Sequence, residues 1–333
     1  MLPIPVTVVS GFLGSGKTTL INRILREEHG LSIAVIVNDV GDLDVDAALL
    51  RDQGDEIVSL RNGCVCCSMQ GDLVSQVARL VDEKDFDHII IEASGVSEPG
   101  NIVRALKYPQ LRDTVFTSAV VALIDAELFP ELKGNARYLA GEQLAAADVV
   151  LLNKVDLVSS QRLASVTESC ACPNLAIIEC SYADISLDLF FSTDHTQRSE
   201  SDPHRLDAKD DFFETRIWRP TGPVDLEVLR QVLLSISGNV IRSKGFVQSV
   251  RDDECWLVQA VGRRTNLNKA INSEAAALVL IGVSNENDWV SIFNDLEVSV
   301  VSESATACRE STQQTNQAIA NRAARIRRIE GHS

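Results

Sequence analysis

"VTVVSGFLGSGKTTLINRIL" (6–25) decides the fold. A run of mostly β-branched residues leads into Gly11, and from Gly11 to Thr18 the chain reads G-x-x-x-x-G-K-T, followed by apolar residues at helical spacing. A strand, a glycine-rich loop and a helix in that order form a cradle for phosphate. Gly14 and Gly16 carry no Cβ, so backbone N–H groups can close around phosphate oxygens, and the helix start adds its dipole. Lys17 reaches the β and γ phosphates, and the Thr18 hydroxyl suits Mg²⁺. The candidate nucleotide-binding residues here are Gly11, Gly14, Ser15, Gly16, Lys17, Thr18 and Thr19.

Outward from this loop, strand-like runs alternate with helical patterns as far as about residue 190. The strands read as 4–9, 32–38, 56–60, 88–92, 118–125, 148–153 and 175–180; the helices include 18–28, 69–83, 100–107, 137–147 and 159–169. That alternation predicts an α/β fold, a P-loop nucleoside triphosphatase with a mainly parallel sheet and helices on both faces. Aromatic residues make up only 5% of the chain, so the expected core is aliphatic. The expected domains are a nucleotide-binding unit over 1–192, a polar linker over 193–211, a smaller α+β unit over 212–300 and a tail over 301–333, partly helical or disordered. In that second unit, strands are expected near 212–218, 239–247, 255–261 and 275–283. The arginines of the tail, from Arg322 to Arg328, fit either a solvated helix or a docking helix.

The base is read from "LLNKVDL" (151–157). Guanine presents N1–H and N2–H₂ donors side by side, and Asp156 can accept from both. Adenine has no N1 donor and would leave the carboxylate unpaired, which a desolvated site penalises heavily. GTP is therefore expected over ATP, with Asn153 bonding the base and holding the phosphate loop while the Lys154 stem covers the base. Glu92, at the end of the apolar strand in "IIIEASG" (89–95), is placed to contact Mg²⁺ directly or through water, and the Gly95 N–H to meet the γ-phosphate. "VNDVGDLDVD" (37–46) offers Asp39 as a second Mg²⁺-side acid, although such acid clusters are commonly solvated loops. The magnesium candidates are Thr18, Asp39 and Glu92, and the catalytic candidates are Lys17, Asp39 and Glu92.

"LRNGCVCCSMQGDL" (60–73) crowds Cys64, Cys66 and Cys67 within four positions. Thiolates are soft ligands for Zn²⁺, Co²⁺ or Cu(I), and three of them leave a fourth tetrahedral position for a partner's ligand. Buried packing and a redox switch are the competing readings. Cys170, Cys172, Cys180, Cys255 and Cys308 read as packing. A net charge of −16 argues against a nucleic-acid partner. The N-terminal stretch lacks a basic region and its apolar run is too short for a bilayer, so a cytoplasmic protein with no membrane partner is expected.

Together these segments, with "IIEASGVSEP" (90–99) and "VIRSKGFV" (240–247), resemble the CobW-type GTPases, relatives of the HypB and UreG metallochaperones. The resemblance implies a GTP-hydrolysing metallochaperone that uses GTP, Mg²⁺ and a transition metal, Zn²⁺ or Co²⁺. It implies delivery from the C-x-C-C thiols to a client metalloprotein or cofactor pathway, with an oligomer compatible. The alternative is a GTPase that activates a metalloenzyme or cofactor-transfer protein without carrying metal. This chain has Asn38-Asp39-Val40-Gly41 where the family usually has Asn-Glu-Phe-Gly. It also lacks the family's frequent His-rich segment, since His195 and His204 stand alone in the linker.

Overall fold

The computed structural model describes residues 3–27, 30–37, 56–59, 69–83, 86–187, 190–191, 213–270, 276–283 and 288–301. Asp39, the three clustered cysteines, the 193–211 linker and residues 302–333 lie outside them.

Seven strands form one sheet in the order β3-β2-β4-β1-β5-β6-β7, and every pairing is parallel. They are β1 (Ile4–Gly11), β2 (Ile33–Val37), β3 (Glu56–Ser59), β4 (His88–Glu92), β5 (Val115–Asp125), β6 (Val149–Asn153) and β7 (Ala176–Glu179). The strands β2, β4 and β6 are buried at every position, which explains why they are continuous apolar runs rather than alternating ones. Neighbouring residues still point to opposite faces. Val9, Val35 and Val121 pack with Leu20, Ile21 and Ile24 of α1 (Lys17–Arg26). Val8, Ile36 and Ile91 pack with Leu73, Val77 and Leu80 of α2 (Met69–Glu83). Also on that second side lie α3 (Pro99–Ala105), α4 (Gly134–Ala146) and α5 (Ser160–Cys170); Leu144 and Val166 of the last two cover Ile124 and Leu152. Helices therefore cover both faces, as expected.

A second sheet, wholly antiparallel, runs β11-β10-β9-β12-β8. Its strands are β8 (Phe213–Trp218), β9 (Val240–Gln248), β10 (Cys255–Val261), β11 (Arg264–Lys269) and β12 (Ala277–Val283). On one face lie α6 (Leu226–Ser235) and α7 (Trp289–Glu297), whose Leu229, Leu233, Ile292 and Leu296 meet Val247, Val258, Leu278 and Leu280. Asp225 and Asp288 cap the two helices, each accepting from first-turn N–H groups. Among the described residues no helix is long and apolar enough to cross a membrane.

The two units are joined at the turn between β10 and β11. Ile241 and Val261 enter the core on the α1 side of the parallel sheet. Gly262, at φ +50, presses so close to the chain before β6 that a Cβ there would lie 1.9 Å from the Asp148 carbonyl oxygen. Arg264 Nε donates to Asp148 Oδ2 at 2.7 Å, and the same oxygen accepts the Val120 N–H at 2.8 Å. Burial pushes the Asp148 carboxyl above its ordinary pKa, and Arg264 pulls it back down. Arg263 donates to the carbonyls of Ala145 and Ala147. Asn266 reaches the Thr117 carbonyl at 3.2 Å, and Ser237 the Asn174 carbonyl at 2.8 Å. All these partners lie at or near the amino ends of β5, β6 and β7.

Gly262→Ala is expected to unseat this junction, because a left-handed backbone alone costs an L-residue about 1–2 kcal/mol and the carbonyl leaves no space. Thermal unfolding should show a lower midpoint for the C-terminal unit, with faster proteolysis at the junction. An unchanged melt with unchanged proteolysis would show that the contact carries no weight.

Candidate functional site

The parallel register brings the candidate residues to one edge. Val9 is paired with Glu92, Gly11 with Leu123, and Asp125 with Asn153, so the carboxyl ends of four adjacent strands share one edge that steps outward by two residues from β4 to β1 and by two more from β1 to β5. Crevices at that edge are where open α/β sheets take ligands. Gly16, at φ +107, opens α1, whose start has no side-chain cap and no acid in its first turn. An uncapped, acid-free helix start suits an anion. Asn153 Nδ2 donates to the Ser15 carbonyl at 2.9 Å, and a Cβ on Gly16 would lie 2.4 Å from that nitrogen. Only glycine lets β6 approach the loop this closely.

Lys17 is buried and turns back on its own loop, with Nζ donating to the carbonyls of Gly11 (2.9 Å) and Phe12 (3.2 Å). Burial lowers its pKa, and the nearby Glu92 carboxylate partly restores it. A phosphate oxygen would supply the missing counter-charge. The Ser15 hydroxyl is buried in the same loop with no hydrogen-bond partner among the described residues. Thr18 Oγ1 donates to Glu92 Oε1 at 3.3 Å, so two hard oxygen ligands stand side by side, a donor set that fits Mg²⁺. Gly95 packs against Leu13 of the phosphate loop, and Gln143 of α4 holds its carbonyl at 3.3 Å. Thr19 is exposed on α1, and a side chain at Gly14 would meet no described residue within 4 Å.

At the other end of the edge, Asn153 Oδ1 accepts the Ala183 N–H at 3.0 Å and the Cys180 thiol at 3.7 Å. One amide thus joins the phosphate loop, β6 and the turn after β7. Lys154, at φ +63, pairs with Asp125 at 2.7 Å, and Asp125 also accepts the N–H groups of Glu127 and Leu128. Asp156 is exposed on the turn Val155–Leu157, clear of the ion pair. Burial pushes the Cys180 thiol up to about 12, so it stays protonated and packs, as expected for it. Asp125, Gln143 and the Ala183 N–H escaped the sequence reading. Asp125 ends an apolar strand just as Glu92 does and was findable by that signal, whereas Gln143 and Ala183 carried none. Among the described residues no group of three His, Cys, Asp or Glu is placed to hold a metal.

Residues 5–174 match the CobW/HypB/UreG nucleotide-binding domain. The chain belongs to the CobW/HypB/UreG family. Residues 213–297 match the cobalamin synthesis protein cobW C-terminal domain, so the antiparallel unit falls within the CobW branch as well. Among curated CobW-type relatives, the zinc chaperone YjiA of Escherichia coli is 32% identical over 284 residues, covering 79% of this chain and 87% of that protein. The zinc chaperone CobW of Pseudomonas aeruginosa is 30% identical, covering 89% of this chain and 92% of that one. The zinc-regulated GTPase metalloprotein activator 1 of Dictyostelium discoideum is 31% identical, and 62% of its own length is matched by 73% of this chain.

The lowered pKa of Lys17 in this CobW-family chain gives a pH test. A phosphate needs the ammonium form, so nucleotide affinity is fully present below the lowered pKa and falls as pH rises through it, with proton uptake on binding. Calorimetry in buffers of different ionisation enthalpy should detect that uptake with GDP at alkaline pH. Guanine titrates there too, so Lys17→Arg, which keeps the charge, serves as the control. Equal uptake in both proteins would remove Lys17 as the source.

Proposed function

We propose that the protein is a GTP-hydrolysing metallochaperone that carries a transition metal, zinc first, on Cys64, Cys66 and Cys67 and passes it to a client metalloprotein or cofactor pathway. The observation that carries the nucleotide half is the Asn153 bond to Ser15 at 2.9 Å, which ties the N-K-x-D segment to the phosphate loop beside Thr18 and Glu92. In this reading Lys17 bears on the β and γ phosphates, Asp156 accepts from guanine N1–H and N2–H₂, and the Gly95 N–H meets the γ-phosphate. Thr18 and Glu92, with Asp39, would hold Mg²⁺, which when bound neutralises charge on the phosphates.

The cysteine segment lies in sequence between Asp39 and Glu92, so order imposed on both acids by GTP passes through it. Hydrolysis releases those contacts, and metal and GTP affinities are then reciprocally linked. The zinc names of the relatives support that metal. The Dictyostelium relative is named a metalloprotein activator, which keeps in view the second reading, a GTPase that activates a metalloenzyme or cofactor-transfer protein without carrying metal. The nucleotide unit is taken as residues 1–192 and the C-terminal unit as 212–300, joined by the 193–211 linker. The protein acts in the cytoplasm without a nucleic-acid partner, in line with its net charge of −16.

Asp156→Asn replaces an acceptor by an amide and is expected to weaken GTP binding at least about a hundredfold. It should improve binding of xanthosine triphosphate, whose ring carries an oxygen where guanine carries N2–H₂. Unchanged GTP affinity with no gain for the xanthine nucleotide would remove Asp156 from base recognition.

Metal carriage is tested by stoichiometry. Wild type should bind one zinc per chain, with affinity that differs between GDP and a non-hydrolysable GTP analogue, and Cys66→Ser should lose that metal while keeping nucleotide affinity. Full zinc retention in Cys66→Ser and in the Cys64/Cys67 double variant would remove these thiols as the carrier, and a wild type that binds no zinc would leave only the activator reading standing.

A further inference from the structure

Gln143 sits in the last turn of α4, fully buried. Its Nε2 donates to the Gly95 carbonyl at 3.3 Å and to the Ser97 carbonyl at 3.2 Å. Two carbonyl acceptors fix the orientation of the amide, since the reverse orientation would face oxygen with oxygen. Its Oε1 is then left buried with no hydrogen-bond partner among the described residues. The turn that Gln143 holds is small and self-bonded: the Ser97 N–H donates to the Ser94 carbonyl at 3.0 Å, and the Ser97 hydroxyl to the same oxygen at 2.9 Å. Val96 between them is exposed. Gln143 is thus the inner anchor of an otherwise surface turn.

Two residues further along, the C-terminal unit takes hold of the same helix end. Arg263 donates to the carbonyls of Ala145 and Ala147, and Arg264 to the buried carboxylate of Asp148. The carbonyls at a helix end have no partner within the helix, so a guanidinium there fixes both the position and the rotation of the last turn.

We propose that the last turn of α4 couples the Gly95–Ser97 turn to the C-terminal domain, with Gln143 as a positioning residue for the Gly95 peptide. The inference rests on the reading that the Gly95 N–H meets the γ-phosphate. The Gly95 N–H shares its rigid peptide plane with the Ser94 carbonyl, which the Ser97 N–H and hydroxyl hold. Gln143 holds the Gly95 and Ser97 carbonyls that follow, so it sets where that N–H points by fixing the turn on which the plane rests. When the turn shifts toward a γ-phosphate, the unpaired Oε1 is available to a turn N–H. The amide therefore has two arrangements, and the Arg263–Arg264 clamp biases the choice by holding the helix end. A client or metal event that displaces the C-terminal domain would reach the γ-phosphate along residues 143–148 without touching the nucleotide. By reciprocity, GTP and GDP must alter how firmly that domain is seated.

The test is made on the full chain with Mg²⁺, by titrating fluorescent GDP and a fluorescent non-hydrolysable GTP analogue into wild type, Gln143→Leu, Arg264→Ala and the double variant. Each single substitution is expected to lower the ratio of analogue to GDP affinity about tenfold, within the usual range of coupling between sites. GDP affinity should stay within about twofold, because GDP makes no call on Gly95. The double variant should be no worse than the poorer single one, since both act through one helix turn. A merely structural role would lower both affinities together. Arg264→Ala stands alone as a probe if Gln143→Leu folds poorly, because Arg264 is partly exposed and distant from the strand edge that carries the phosphate loop. An unchanged ratio in Arg264→Ala, or independent effects that multiply in the double variant, overturns the coupling. Should wild type itself bind both nucleotides alike, the Gly95 reading falls first and the coupling with it.

Discussion

The side-chain amide of Asn153 holds three segments at one point. Its nitrogen fixes the Ser15 carbonyl, and its oxygen takes the Ala183 N–H and the Cys180 thiol. It is almost fully buried, so every one of those bonds is made away from water, where an orphaned partner costs about 1–3 kcal/mol. The conformation of the phosphate loop is therefore partly a property of β6. Gly16 answers the same constraint from the other side by having no Cβ to keep Asn153 away. The N-K-x-D segment and the phosphate loop, far apart in sequence, are brought together through this single group.

The parallel sheet separates two kinds of work by its ends. Its carboxyl edge gathers Glu92, Gly11, Asp125 and Asn153, each at the end of its strand, with the last two paired by register. Its amino edge receives the antiparallel unit through Gly262, Arg264 and Asn266. β4 and β6 are each 5 residues long, so an element that crosses the sheet beside them can touch both ends. The helix α4 does so, with Gln143 facing the Gly95 turn and its final carbonyls facing the arginines. The buried Asp148 carboxylate fits this picture. Burial raises its pKa, and it is held by a backbone N–H and one guanidinium, so its contribution lies in fixing position more than in net stability.

Most of the fold was legible. The strands β2, β4 and β6 are mainly aliphatic and buried at every position because both faces are covered, and a run of that kind announces itself without any partner being known. The exceptions follow from physics rather than chance. β5 begins at Val115 and not at 118, because Ser118 is the extra residue where the register with β1 slips, and the polar pair Thr117–Ser118 masks the start. β11, "RTNLNK", went unrecognised because its sequence is mostly polar. It is a strand because the turn at Gly262 folds it onto β10, and Asn266 is anchored to the other unit.

The sequence by itself determined the phosphate loop, the N-K-x-D segment and the acid at the end of β4, since each is a short pattern complete within a few residues. Only the tertiary structure decided what holds them. Asp125 pairs with Lys154, Ala183 lends an N–H to Asn153, Gln143 anchors Gly95, and Arg264 reaches Asp148. Each of these bonds joins residues that are distant in the chain or lie on different elements. A local pattern carries the periodicity of a strand or the spacing of a loop, but a glutamine in a helix looks the same whether it meets water or the carbonyl of a distant glycine. Burial decides between those, and burial is a property of the packed chain alone.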